Sequence, residues 1–137
     1  MRGSTSRSVV ISQREKVERH TRLGLGTRTV CYGKRTVANY RCPLLLAFAR
    51  EAPYCFHCGA FNRGNVVAAH SNQIRDGKGK SIKAHDYRIA YLCDTCHFDV
   101  DQGSKLSRVE RREIWDAAHR ASIGWLIDTG RLRAVRV

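Results

Sequence analysis

The longest hydrophobic pattern with helical spacing lies near the C-terminus of the chain. Its apolar positions are Ile114, Ala118, Ala121 and Trp125. This spacing predicts an amphipathic helix of about twenty residues. Ser107, followed three positions later by Glu110, predicts a capping box at the start of the helix, and Gly130 predicts its end. The polar face of the helix carries four arginines: Arg108, Arg111, Arg112 and Arg120.

Shorter patterns precede this helix. The runs "NVVAAH" and "YRIAYLC" predict two strands joined by the glycine-containing basic loop "RDGKGKSIK". The first strand ends on His70, which it would place at the rim of a site. After the second strand, "HFDVD" begins a helical turn on which His97 and Asp101 share one face. Further upstream, "CPLLLAFAREAP" predicts a short apolar helix that begins at Pro43 and ends before Pro53.

The net charge of the chain is strongly positive and is unevenly distributed. The 137 residues contain 25 Lys and Arg against 12 Asp and Glu, a net charge of +13. Such a surplus implies a polyanionic partner, and nucleic acid is the first expectation. Residues 1–42 hold ten Lys and Arg against two Glu and lack sustained periodicity, so we expect a basic arm or a small hairpin layer there. A basic tail that only aids solubility is the alternative.

The length of the chain fits one domain. Its apolar runs are too short for a membrane helix or for the core of a signal peptide, so we expect an intracellular protein without a membrane partner. Thiols stay reduced in that compartment, and the six cysteines are therefore not expected to form a disulfide framework.

The cysteines include two CxxC pairs, in "YCFHCG" and "LCDTCH": Cys55 with Cys58 and Cys93 with Cys96. A CxxC turn aims both sulfurs at one point, and two such turns supply the four thiolates of a tetrahedral zinc ion. The presence of both pairs favours a zinc site over a redox dithiol. Cys31 and Cys42 have no such partner and are expected to be buried or free thiols, and His57 is expected to face solvent.

Several of these features together resemble one protein family. They are "CFHC", "AAH", the "GKGK" loop, the "HD" pair before a cysteine, "LCDTCHFDVD" and "GWLIDTGRL", which cover roughly residues 53–132. In them the chain resembles the HNH, or ββα-metal, endonucleases, and among these the YbcO-like nucleases of phages and prophages. The resemblance implies an α+β fold with a ββα-metal core stapled by the four-cysteine zinc site. A basic arm, residues 1–42, would precede a nuclease domain, residues 43–137, whose C-terminal helix is amphipathic.

The resemblance also implies an activity, the hydrolysis of phosphodiester bonds in DNA in the cytoplasm of a bacterial host cell. His70 matches the general base that activates water, His97 matches a ligand of a catalytic Mg²⁺ or Mn²⁺ ion, and the zinc is structural. Asp86, with or without His85, matches the residue that orients the base or adds a ligand. Many HNH proteins carry a metal-binding aspartate where this chain has Ala69, so the second ligand would be Asp101 or Asp86.

Contacts to nucleic acid are expected from the glycine-containing loop and from the arm: Arg75, Lys78, Lys80, Lys83, Arg14, Lys16 and Arg19. The form of the substrate stays open, and the related nucleases suggest a recombination or repair protein as a further partner only by analogy. Two other functions also stay open. The chain could be a catalytically silent zinc-finger DNA-binding protein, or a phage protein that acts on a host nuclease or repair factor. Neither alternative requires His70, His97 and Asp101.

Overall fold

The structure is a computed structural model that describes residues 39–136 of the chain. In this part the fold is α+β, with a two-stranded sheet and three α-helices. The elements in chain order are α1 (Pro43–Ala47, continued by a 3-10 helix, Phe48–Glu51), β1 (Val66–His70), a 3-10 helix (Ile74–Asp76), β2 (Ile89–Cys93), α2 (Asp94–Asp101) and α3 (Arg108–Asp128). Over residues 39–136, no helix combines the length and apolarity that crossing a membrane would take.

The sheet is a single antiparallel pair. Val66 pairs with Cys93 at one end and His70 pairs with Ile89 at the other. Every residue of β2 is buried, because helices cover both faces of the sheet. On one face, Ala69 and Ala90 pack with residues of α2 and α3. On the other, the Tyr91 hydroxyl donates a 2.7 Å hydrogen bond to the carbonyl of Leu45 in α1.

Helix α3 packs against β2 through a stripe that differs in part from the predicted one. Ala121 is exposed, and the buried residues of the helix are Trp115, Ala118, Ser122 and Leu126. Ser122 is buried because its hydroxyl accepts a 2.9 Å hydrogen bond from the backbone N–H of Tyr91 and donates one to the Ala118 carbonyl. A hydrophobic pattern does not detect this position, because the buried side chain is polar. It satisfies a backbone N–H of β2, which would otherwise be buried without an acceptor.

The predicted ends of α3 are confirmed. The backbone N–H of Glu110 donates to the Ser107 hydroxyl over 3.2 Å, and the Glu110 carboxylate accepts from the Ser107 N–H over 2.7 Å. Gly130 follows the helix with a φ of +70°, a conformation that glycine adopts without steric cost. The short helix that begins at Pro43 is confirmed too.

Residues 39–42, which the sequence assigns to the end of the basic arm, hydrogen-bond to the segment before β2. The side chain of Asn39 donates to the carbonyls of Gly77 and Lys83. Cys42 is buried, as expected, but it is disulfide-bonded and is not a free thiol. Cys31 and the expected hairpin layer lie outside the described residues.

The capping box gives a test of how much local chemistry contributes to α3. We expect Ser107→Ala to lower the free energy of unfolding by about 1 kcal/mol, because the Glu110 N–H loses its acceptor. Urea denaturation followed by circular dichroism measures this change. Ser104→Ala is the matched control, since Ser104 is exposed and precedes the helix, and an equal loss in both variants would contradict the capping role.

Candidate functional site

Four cysteine sulfurs form a group that could hold a metal ion such as zinc. The sulfur atoms of Cys55, Cys58, Cys93 and Cys96 all lie within 4.8 Å of one another. The Sγ atoms of Cys58 and Cys93 are 3.8 Å apart, which matches the edge of about 3.8 Å that a tetrahedron with Zn–S bonds of about 2.3 Å requires. The predicted pairing of the two CxxC turns in one metal site is therefore confirmed as geometry.

Two local structures bring these sulfurs together. In the first knuckle, residues 55–58, the Gly59 N–H donates to the Cys55 carbonyl over 2.9 Å, and Gly59 itself has a φ of +73°. The Phe56 N–H donates to the carbonyl of Tyr91 over 3.0 Å, which attaches this knuckle to the outer edge of β2. The second knuckle, residues 93–96, is the junction of β2 and α2. The cluster thus joins the first knuckle to the junction of β2 and α2. Within residues 39–136, this is the only junction at which a strand is followed directly by a helix, without a loop.

The electrostatics of the cluster favour a bound cation. Burial raises the pKa of Cys55, but hydrogen bonds from the backbone of both knuckles outweigh it, and the pKa falls to about 7. Burial raises the pKa of Cys93 and of Cys96. At Cys96 the neighbouring sulfurs raise the pKa further, and at Cys93 the Cys55 sulfur raises it while hydrogen bonds with Cys96 partly offset the rise. A divalent cation removes the repulsion between neighbouring thiolates, so metal binding would release protons from this group.

A second group of side chains lies at the end of β1. The Nε2 atom of His70 is 2.8 Å from Oδ1 of Asp86, whose side chain is only 3% exposed. A carboxylate accepts hydrogen bonds, so Nε2 carries the proton and donates it. This fixes the tautomer of the imidazole and leaves Nδ1 with a lone pair that can accept a proton.

The Asp86 carboxylate is held by residues 41 and 42 as well. Its Oδ2 accepts a 2.6 Å hydrogen bond from the backbone N–H of Cys42, and its Oδ1 accepts a 3.1 Å bond from Arg41. Burial raises the pKa of Asp86, but the hydrogen bonds from His70, Cys42 and Arg41 outweigh it, and the net pKa lies below the ordinary value. Asp86 is therefore charged at neutral pH. Because protein donors occupy both of its oxygens, the geometry fits an orienting residue and not a metal ligand.

His85 is turned toward other partners. Its Nδ1 accepts a 3.0 Å hydrogen bond from the Tyr40 N–H, and its ring stacks on Tyr87 with a centroid distance of 4.8 Å. A side chain on Gly77 would collide with this ring at 2.8 Å. His85 thus packs the loop before β2 and takes no part in the hydrogen bond between His70 and Asp86.

The other two predicted metal-site residues lie on α2. Positions 97 and 101 are four apart in one helix and share a face. Asp101 accepts a hydrogen bond from the side chain of Asn72, which is two residues beyond His70, so this face of α2 lies beside the end of β1. The His97 ring is half-buried and has no hydrogen-bond partner in the described part of the chain. Apart from the cysteines, residues 39–136 contain no group of three or more ligand atoms close enough for a metal ion.

The predicted basic contacts differ in their surroundings. Lys80 and Lys83 are exposed and Lys78 is half-buried. Arg75 is held by Asp116 through two contacts, of 2.7 and 3.0 Å. The arm residues predicted to bind nucleic acid lie outside the described residues: Arg14, Lys16 and Arg19.

Sequence reasoning missed Arg41 and Asn72, the side chains that hold Asp86 and Asp101. Each bond joins residues that are far apart in sequence, 45 positions for Arg41 and 29 for Asn72. Arg41 also lies in a segment where every basic residue reads as part of the arm. No local motif marks either residue.

Comparisons with protein-family models, with curated proteins and with solved structures gave no match for this chain. The functional argument therefore depends on the geometry and chemistry of the described residues.

The cysteine cluster makes a direct prediction about metal content. We expect one zinc ion per chain, contributing on the order of 10 kcal/mol to the folded state. Cys93→Ser should lose the zinc and the fold together, because one ligand and the junction of β2 and α2 are lost at once. His57→Ala is the control, since His57 is exposed inside the first knuckle and should keep full zinc content. Elemental analysis with circular dichroism reads both, and a folded, reduced, zinc-free protein would contradict the prediction.

Proposed function

We propose that this protein is a metal-dependent HNH endonuclease that hydrolyses phosphodiester bonds in DNA. The observation that carries the proposal is the hydrogen bond between His70 and the buried carboxylate of Asp86 at the end of β1. A zinc-finger scaffold does not need a histidine whose tautomer is fixed in this way. A general base does, because the imidazole must be neutral, oriented and open on its second nitrogen.

His70 is the general base in this proposal. With Nε2–H bound to Asp86, the Nδ1 lone pair accepts a proton from the attacking water, and the developing imidazolium is stabilised by the carboxylate beside it. The low pKa of Asp86 keeps that carboxylate charged throughout the neutral range. Proton transfer therefore needs no movement of the carboxylate, only a water within reach of Nδ1.

His97 and Asp101 would hold the catalytic Mg²⁺ or Mn²⁺ ion. Their shared face on α2 and the contact of Asp101 with Asn72 support this assignment, because both bring the pair toward the end of β1. When bound, such an ion neutralises charge on the phosphate and on the leaving 3′ oxygen. Both carboxylates accept hydrogen bonds, but the donors to Asp101 are the exposed side chains of Asn72 and Gln102, whereas Asp86 is held by a buried backbone N–H. Exposed side chains can give way to an ion more readily, so Asp101 is favoured as the second ligand in a chain that has Ala69 at the usual aspartate position.

The order of the elements supports the same proposal. β1, β2 and α2 follow one another as strand, strand and helix, and the cysteine cluster lies at the junction of the last two. Zinc bound there would fix the angle at which α2 leaves the sheet, and thereby the position of His97 relative to His70. The zinc would be scaffold, and the histidine directly after Cys96 would belong to the chemistry.

A catalytically silent zinc-stabilised DNA-binding protein is the second candidate. It is favoured by one observation, that within residues 39–136 the cysteines are the only assembled group of three or more metal-ligand atoms. Nicking of supercoiled plasmid in the presence of Mg²⁺ or Mn²⁺, compared with the same buffer without added divalent ion, decides between the two, because the structural zinc is then retained in both arms. Metal-dependent nicking by the purified protein supports the nuclease, and metal-independent binding without nicking supports the silent binder.

Substitutions of the two histidines should separate the base from the ligand. His70→Ala should reduce the nicking rate by about 10²- to 10⁴-fold while Mn²⁺ affinity stays close to that of the wild type, because only the proton acceptor is lost. His97→Ala should lose both nicking and Mn²⁺ binding and keep the zinc. His57→Ala serves as the matched control and should change neither. The two readouts are nicking rate and Mn²⁺ calorimetry, and a wild-type nicking rate for His70→Ala would contradict the assignment.

Asp86 and Asp101 are expected to differ in the same two readouts. Asp86→Asn should lower the nicking rate with little change in Mn²⁺ affinity, because an amide neither fixes the His70 tautomer nor stabilises the imidazolium as a carboxylate does. Asp101→Asn should weaken Mn²⁺ binding and nicking together. Loss of Mn²⁺ affinity in Asp86→Asn but not in Asp101→Asn would exchange the two assignments.

A further inference from the structure

A groove lies beside Asp101, on the side of the molecule where α3 begins. Its volume is about 540 Å³, and its walls come from the 3-10 helix Ile74–Asp76, the end of α2 and the first turns of α3. The side chains that matter in its walls are Lys78, Asp101, Arg108, Arg111 and Arg112. The buried residue Trp115 also lines the groove.

The cations in this groove fall into two groups. Two arginines serve the structure: Arg111 donates to the carbonyls of Gly103 and Leu106, and Arg75 is paired with Asp116. The other three cations have no ion pair within residues 39–136: Lys78, Arg108 and Arg112. Positive charges gathered in one concavity repel each other unless an anion lies between them, and a concave surface strengthens the attraction for that anion.

The negative charge of the Asp101 carboxylate limits which anions can bind in the groove. A phosphate placed beside this carboxylate would be repelled unless a divalent cation lay between the two, which is where the proposed function places one. The groove is partly open to solvent, so a strand of nucleic acid can reach its lining residues from outside. Ile74 stands on its rim with 83% of its surface exposed, an apolar contact that fits the sugar or base of a nucleotide and serves no purpose for a free inorganic anion.

We propose that this groove binds the phosphodiester backbone of the nucleic-acid strand next to the bond that is cut, with Lys78, Arg108 and Arg112 on successive phosphates. The proposal rests on the proposed function for the position of the cut beside Asp101. Two of the three contacts are arginines, whose planar guanidinium groups bind phosphate oxygens in pairs. They come from α3, outside the glycine-containing loop and the arm where the sequence places nucleic-acid contacts.

The test compares two triple variants that lose the same charge. The groove variant is Lys78→Gln, Arg108→Gln and Arg112→Gln, and the control variant is Arg50→Gln, Arg63→Gln and Arg133→Gln. The control residues are exposed and lie outside the groove. Binding of the full chain to a fluorescently labelled DNA duplex is measured without added divalent ion and without a chelator, since a chelator would also remove the zinc. The readout is anisotropy over a range of salt concentrations. Zinc content and circular dichroism confirm that both variants are folded.

We expect the slope of log K against log salt to flatten by about 2.7 in the groove variant, because each lost phosphate contact on duplex DNA contributes about 0.9. With single-stranded DNA as the probe, the expected change is about 2, because each contact then contributes about 0.7. The control variant should keep the wild-type slope. Equal flattening in both variants would assign the effect to net charge and overturn the proposal, as would an unchanged slope in the groove variant. Competition by polyglutamate as strong as that by unlabelled DNA would assign the groove to an acidic protein partner instead and would also overturn it.

Failure of the groove can be distinguished from failure of the nuclease proposal. Because binding is measured without a divalent ion, the slopes do not depend on cleavage. A wild-type protein that never nicks DNA but shows the expected difference in slope would end the nuclease proposal and keep the groove as a nucleic-acid site. A protein that nicks normally but shows no difference in slope would keep the nuclease and end the groove.

Discussion

A sheet of two strands is marginal in water, because one antiparallel pair buries too little surface to hold its own register. This constraint governs the described part of the chain. The four cysteines join the outer edge of β2 to the start of α2, and α1 and α3 cover the two faces of the sheet. With its backbone N–H bonded to Ser122 and its carbonyl to Phe56, Tyr91 leaves little of the β2 edge open to other chains. The positions of the side chains at the end of β1 therefore depend on the rigidity of the sheet, its covering helices and the cysteine cluster.

The buried carboxylate of Asp86 is the second feature on which the candidate site depends. It accepts hydrogen bonds from three places in the chain: His70 at the end of β1, the backbone of Cys42 and the side chain of Arg41. A buried charge with fewer donors would be costly to keep ionised, and here the donors lower its pKa despite burial. The same bonds that satisfy the charge also orient the imidazole, so stability and site geometry are not independent in this molecule.

Local chemistry made much of the fold predictable. The CxxC pairs, the capping box at Ser107 and the two apolar runs around the basic loop each specify a structure within a few residues, and all of these elements are present. The face of α3 was less predictable, because the buried Ser122 is polar and its partner is the backbone of β2. In the candidate site, His70 was predictable because it ends a recognisable apolar run, whereas Asp86 was singled out only through the resemblance. Arg41 and Asn72 were not predictable, since only the tertiary fold brings them to the two aspartates.

The contacts of residues 39–42 bear on where the smallest functional unit of this chain begins. Pattern alone would cut the chain at Pro43, where α1 starts and the basic residues thin out. A fragment cut there would still contain every histidine, aspartate and cysteine assigned a role above. It would nevertheless lack both donors from residues 41 and 42 and leave a buried carboxylate with His70 as its one remaining side-chain partner. Such a fragment would keep all four zinc-site cysteines and could fold. Its Asp86 carboxylate, however, would be easier to protonate and freer to rotate, so the His70 imidazole would be less firmly oriented.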